Sequence, residues 1–137
     1  MGRKSIPQIE QEIYDILSNF FIGRISGGFY PSDCRPFGSD LEDAVLTVSN
    51  ASAEQVQIGR ARINIFVPDI DAGLGRPVPN KGRIDDISRM DEMIVEALNI
   101  ANTDYEFDLF MATGVENAED IKQHLVNINL EFKHITF

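Results

Sequence analysis

The run HLVNINLEFKHITF, residues 124–137, alternates more cleanly than any other part of this chain. His124, Val126, Ile128, Leu130, Phe132 and His134 fall on one side of an extended backbone, and Asn127, Asn129, Glu131 and Lys133 on the other. Successive side chains of a strand point to opposite faces. One apolar and one polar side therefore predict a half-buried strand in an antiparallel sheet. A second alternating run, Tyr105, Phe107, Leu109 and Met111, precedes it across a turn over Gly114–Lys122, and the two predict a hairpin.

Further upstream the pattern repeats. Leu41–Asn50 (LEDAVLTVSN) places Ala44, Leu46 and Val48 on one side. A short turn at Asn50–Ala53 leads into a long strand over Glu54–Val67 (EQVQIGRARINIFV), which makes a first hairpin. The apolar parity of the long strand changes: Val56 and Ile58 share one face, Ile63, Ile65 and Val67 the other. A bulge near Gly59 reconciles the halves. Each hairpin follows an amphipathic helix. The first opens with Ser5 and Gln8 in capping-box positions and Pro7 in the first turn, and carries Ile6, Ile9, Ile13, Ile16, Leu17 and Phe20, with Gly23 at its end. The second carries Ile84, Ile87, Met90, Ile94, Ala97, Leu98 and Ala101. Between the first hairpin and this helix, Pro68–Arg83 reads as a Gly- and Pro-rich loop long enough to suggest a role of its own. The order helix, hairpin, helix, hairpin predicts a single α+β domain over residues 1–137. Its expected architecture is an antiparallel sheet of about four strands in two hairpins, with two helices packed on one face.

The totals narrow the function. The chain has 22 Asp and Glu against 12 Lys and Arg, a formal net charge of −10; such a surface repels phosphate backbones, so no sequence-specific nucleic-acid partner is expected. No apolar run is long enough for a membrane span, and Met1–Ser5 leads into no apolar signal core, so neither a membrane nor a secretory route is expected. A single cysteine, Cys34, precludes an internal disulfide and suits a reducing compartment.

Motifs for chemistry are weak. Neither histidine lies in a cysteine-hydrolase pattern around Cys34. His124 and His134 stand roughly 33 Å apart along one strand, too far to share an ion within a chain, so sheet-edge packing or solvent is their expected setting. Asp69–Asp71 and Asp85–Asp86 lack the spacing of an EF-hand. Gly73-Leu74-Gly75 lacks the third glycine of a dinucleotide site. The chain therefore reads as no enzyme, with no catalytic residue, metal or cofactor expected. Arg60 and Arg62 alternate on the long strand and project from one face, suited to acids of a neighbouring subunit or to guarding an exposed sheet surface.

The stretch GGFYPSDCRPFGSDLED, residues 27–43, sets Phe29, Tyr30 and Phe37 among Gly27, Gly28, Pro31 and Pro36. It reads either as a shaped arm for an inter-subunit contact or as a covering loop that folds its aromatics into the core.

These features in this order, an N-terminal helix, Gly27-Gly28-Phe29-Tyr30-Pro31, a hairpin ending in Ile63-Asn64-Ile65-Phe66-Val67, a loop, a helix and the His124–Phe132 strand, resemble the small tail-completion or tail-terminator proteins of long-tailed bacteriophages and prophages. The resemblance covers most of the chain. It implies a structural subunit that forms a homo-oligomeric ring, caps the tail tube, and meets the tube protein and the head connector. It implies a place in the bacterial cytoplasm during assembly and then in the virion tail. Phe29, Tyr30, Phe37, Arg60 and Arg62 are the expected interface residues. The long Pro68–Arg83 loop and the Cys34 arm depart from the family pattern. The alternative is a small cytosolic adaptor that binds a protein or peptide through an exposed sheet edge or the 68–83 loop.

Overall fold

The computed structural model describes residues 3–101 and 104–135. The alternating run becomes β8 (Gln123–Ile135), in the middle of a six-stranded sheet. Thr136 and Phe137, read as the end of that strand, and Met1 and Gly2, read in the signal-segment argument, lie outside the described residues. The even-numbered residues of β8 from Val126 to His134 are buried, as the alternation requires.

Along one edge β8 pairs with β3 (Val56–Pro68) over thirteen consecutive antiparallel residue pairs, from Val56 with Ile135 to Pro68 with Gln123. The other side of β3 pairs antiparallel with β2 (Ala44–Ala51), and β2 in turn carries the two-residue β1 (Phe29–Tyr30) in parallel. Along its far edge β8 holds β6 (Tyr105–Leu109) and β7 (Gly114–Ala118) end to end. The sheet is thus mixed but mostly antiparallel, and larger than the four strands expected. β1 and β7 are the strands that periodicity misses: β1 is too short to show a period, and Gly114-Val115-Glu116-Asn117-Ala118 has no apolar side.

The helices cover one face. In α1 (Ile6–Leu17) Ser5 accepts from the Gln8 amide and Gln8 accepts from the Ser5 amide, the reciprocal cap expected from sequence. Ile9, Ile13 and Leu17 are buried, and the chain turns away through Gly23 at φ 79°. The second helix is present as two consecutive segments, α2 (Lys81–Ser88) and α3 (Asp91–Ala101), broken at Arg89–Met90 by a tightened bond from the Met90 amide to Ile87. The apolar stripe continues across the break through Ile87, Met90, Ile94 and Leu98. These side chains meet Leu46, Ile63, Ile65, Ile128, Leu130 and Phe132 from the sheet in one core. Each fully buried aliphatic there contributes about 1.5–3 kcal/mol relative to exposure. The long loop has structure of its own: β4 (Ile70–Asp71) and β5 (Pro77–Val78) form a small ribbon before α2 begins.

The bulge expected near Gly59 is present in that region but not in β3: it lies in the facing strand, opposite Arg60 and Ala61. The β3–β8 register is unbroken, and the irregularity lies in β2, between Val48 and Asn50. Nor does β3 change parity: Gln57, Gly59, Ala61, Ile63, Ile65 and Val67 all face the core, while Val56 and Ile58 lie on the outer face, 44% and 47% exposed. The apolar pattern misleads because a glutamine takes an inward position and two aliphatics take outward ones. Gly59 has a different cause. A Cβ there would sit 2.5 Å from the Phe132 ring and 2.3 Å from the Asn50 carbonyl oxygen. The aromatic of β8 lies over a glycine of β3, and β2 crowds the same spot.

Gly59→Ala should therefore lower stability by about 1–3 kcal/mol, as overpacking does, whereas Ile58→Thr on the outer face should stay within about 0.5 kcal/mol. Urea unfolding of both variants checks this; an unchanged midpoint for Gly59→Ala would show that the strands are not this close.

Candidate functional site

The 27–43 stretch is fastened by one buried carboxylate. Asp43, at the entry to β2, is 1% exposed. Its Oδ1 accepts from the Gly28 amide at 3.0 Å, and its Oδ2 accepts from Arg35 Nε at 2.8 Å and from the Ser39 hydroxyl. Arg35 also donates to the carbonyls of Ser39 and Leu41 and to Gln123 Oε1, and its guanidinium lies 3.8 Å from the centre of the Phe66 ring. The neighbouring Glu42 takes a two-pronged bond from Arg83 at 2.7 and 2.8 Å, which ties the arm to α2. Burial pushes the Asp43 carboxyl up, but the bonds from Ser39, Arg35 and Gly28 outweigh it and hold it below the usual range. The Arg83 bond does the same for Glu42.

The arm divides the expected interface residues. Phe29 is not a surface residue: it is buried, stacked on Tyr14 at 4.9 Å and packed against Phe21. Its place in β1 makes it core, as a covering loop would have it. Tyr30 is half-buried with its hydroxyl folded back over Gly28. Phe37 alone stands out from the arm fully exposed. Cys34 is exposed, its amide bonded to the Pro31 carbonyl.

Arg60 and Arg62 lie together on the outer face of the sheet, where none of the described helices packs. The register sets their neighbours in rows. Arg60 pairs with Glu131, which pairs with Asp108; Arg62 pairs with Asn129, whose carbonyl receives the Phe110 amide; Asn64 pairs with Asn127. Arg60 lies 3.4 Å from the centre of the Phe110 ring and 3.5 Å from the Glu131 carboxylate, and Arg62 Nε donates to Asn129 at 3.1 Å. The arm covers one end of this face through Arg35 on Phe66. The middle stays open as a hollow of about 360 Å³. Its sides are raised by two irregularities: the bulge in β2, and the break between β6 and β7, where residues 110–113 stand opposite Ile128 and Asn129. Phe110 and Met111 form that second side. Phe110 faces outward as the alternation of β6 requires; Met111, which that alternation placed inward with Leu109, is turned to the same outer side by the break after Leu109.

The histidines are not at an edge or in solvent, because β8 is flanked on both sides. His124 pairs through Nδ1 with Asp69 at 2.7 Å. His134 is buried, in contact with Gln57 at 3.3 Å and with the Tyr105 ring. Burial and the nearby Lys4 ammonium lower its pKa against the pull of Glu12 and Asp104. Among the described residues no three of His, Cys, Asp and Glu stand close enough to hold one metal ion, and no helix is long and apolar enough to cross a membrane.

Helix side chains guard the sheet edges. Asn99 of α3 brackets Phe107 of β6, donating to its carbonyl at 2.9 Å and accepting from its amide at 2.8 Å. Glu10 of α1 accepts from the Val48 amide on the outer edge of β2 at 3.4 Å. An edge strand left bare invites pairing with another chain; these two are partly blocked.

No protein-family model matches this chain, and no curated protein matches it.

Removing one partner of a buried ion pair strands the other charge, so Asp43→Ala should cost about 3–5 kcal/mol. Because the folded pKa values of Asp43 and Glu42 are depressed, the stability they contribute is complete above the unfolded values of 3.8 and 4.5 and is lost as pH falls through the lower folded ones. Urea unfolding from pH 7 to 3 should show that loss, and Asp43→Asn should flatten part of it; an unaltered slope would remove Asp43 from the account. Cys34→Ser, at an exposed position, should change stability by no more than about 0.5 kcal/mol, read by the same unfolding curves.

Proposed function

We propose that this chain is a structural subunit of a phage or prophage tail, of the tail-completion or terminator kind. It works by joining copies of itself into a ring that caps the tail tube at the head–tail junction. The observation that carries the reading is the sheet with helices on one face only. The described residues leave its outer face without a covering layer, and Arg60, Arg62, Phe110 and Met111 stand at its middle. The order of elements seen in the sequence supports the particular family. On this reading the partners are other copies, the tube protein and the head connector, and the protein works through its interfaces and not by catalysis. Its places are the bacterial cytoplasm during assembly and then the virion tail.

The charge balance fits a ring that DNA passes through. Each Lys or Arg contact to phosphate adds affinity by counterion release, so a passage works best with few. With a net charge of −10 per chain, acids of Asp69–Asp71 or Glu116–Asp120 would lie nearer the lumen than Arg60 and Arg62, which serve contacts between proteins. A second reading, an adaptor that binds an extended peptide, is favoured by β7: no described strand pairs with its far side, and an added strand would find an open edge there.

Solution mass across a concentration series, with electron micrographs, tests the choice. Rings are expected, and Arg60→Glu with Arg62→Glu should weaken them, more at low salt because screening softens exposed charge contacts. A strict monomer at every concentration that binds peptides through β7 would favour the adaptor.

A further inference from the structure

The hollow on the outer face presents two arginines and no carboxylate. In a chain with 22 acids, none lines it. Its floor and walls present Arg60 and Arg62 with Thr47, Asn64, Asn129 and the Phe110 ring. Arg60 is held in place by Phe110 and Glu131. Arg62 is fixed only through Nε to Asn129, so the terminal nitrogens of its guanidinium point to no acid of the described chain. A planar guanidinium with its fork unoccupied matches a carboxylate.

We infer that this hollow is a carboxylate-binding socket, and that its occupant is helix α3 of a second copy, presented through Glu92 and Glu96. The inference rests on the self-assembly reading above. Glu92 and Glu96 are exposed on the side of α3 opposite the buried Ile94 and Leu98, and neither makes an ion pair with a described residue. They are four residues apart on one helix face, where like charges repel, and an arginine pair across an interface relieves that repulsion. The apolar neighbours match as well. Met93 and Ile100 flank the two glutamates, 46% and 74% exposed, and Phe110 and Met111 flank the two arginines, 41% and 53% exposed.

The socket and α3 lie on opposite layers of the molecule, one on the bare sheet face and one on the helical face. A contact between them is head-to-tail. It repeats from copy to copy and closes as a ring where the rotation permits. It also gives the uncovered sheet the helical layer that it lacks within its own chain.

Charge exchange in the full-length chain tests this. Two variants are needed, Arg60→Glu with Arg62→Glu, and Glu92→Arg with Glu96→Arg. All four positions are half-buried or exposed, so the fold should survive, checked by circular dichroism and urea midpoint. Sedimentation velocity is then run on each variant, on their equimolar mixture, and on the fourfold variant. Each double variant should associate about tenfold more weakly than the parent, or worse, and the fourfold variant should regain association. If the glutamate reversal leaves association unchanged, or the fourfold variant stays dissociated while the parent forms rings, α3 is not the occupant and the ring reading stands. If the parent itself is monomeric throughout, both fall. The milder Arg62→Gln and Glu92→Gln with Glu96→Gln replace any reversal that fails to fold, and no weakening in either overturns the socket.

Discussion

Thirteen unbroken residue pairs between β3 and β8 are the constraint on which everything else depends. They join the first hairpin to the second and make one sheet of what would otherwise be two ribbons. Because side chains alternate with period two, the same register decides both faces at once. It sends Ile63, Ile65, Ile128 and Leu130 to the helices, and it lines up Arg60 with Glu131, Arg62 with Asn129 and Asn64 with Asn127 outside. A slip by one residue would exchange the two sets and leave arginines facing α1. Gly59 protects this register, since only a position without Cβ lets Phe132 lie over it.

The arm depends on a second and more local constraint. Asp43 must approach Gly28 closely enough to accept from its amide, and a Cβ at Gly27 would lie 2.0 Å from the Asp43 carboxylate. Gly27 therefore reflects a buried anion, whereas Gly38, at φ 75° with open space around it, serves the turn of the backbone. Around that anion the Pro31–Leu41 segment wraps with Arg35 at its centre. The loop ends as a rigid lip beside the outer face, with Phe37 projecting from it.

Much of the fold was legible in the sequence because it rests on local pattern. Ser5 with Gln8 announced the start of α1, the alternation of β8 announced its two faces, and Ala44, Leu46 and Val48 announced the inward side of β2. What stayed hidden depends on partners far along the chain. Two-residue β1 exists only because Gly28 and Asp43 dock it on β2, and β7 exists only because β8 offers an edge. Gln57 is buried because the backbone of Lys4 pairs with its amide, at 2.9 and 3.0 Å, so an apolar pattern could not place it. The site was half legible. Arg60 and Arg62 were marked by their alternation, but Met111 joined them only through a strand break, and Phe29 left the surface for the core.

The β3–β8 pairing also has a history in time. The roughly fifty residues that separate the two strands take a few seconds to synthesise at about 5–20 residues per second. For that interval β3 has β2 on one edge and nothing on the other, with Ile63, Ile65 and Val67 open to any passing strand. A waiting edge of that kind is where nascent chains stick to one another. Arg60 and Arg62 stand in the middle of it, and two positive charges side by side on alternate residues discourage a second copy from pairing in register. The same two arginines would thus keep nascent chains apart before the strand that will shelter them has been made.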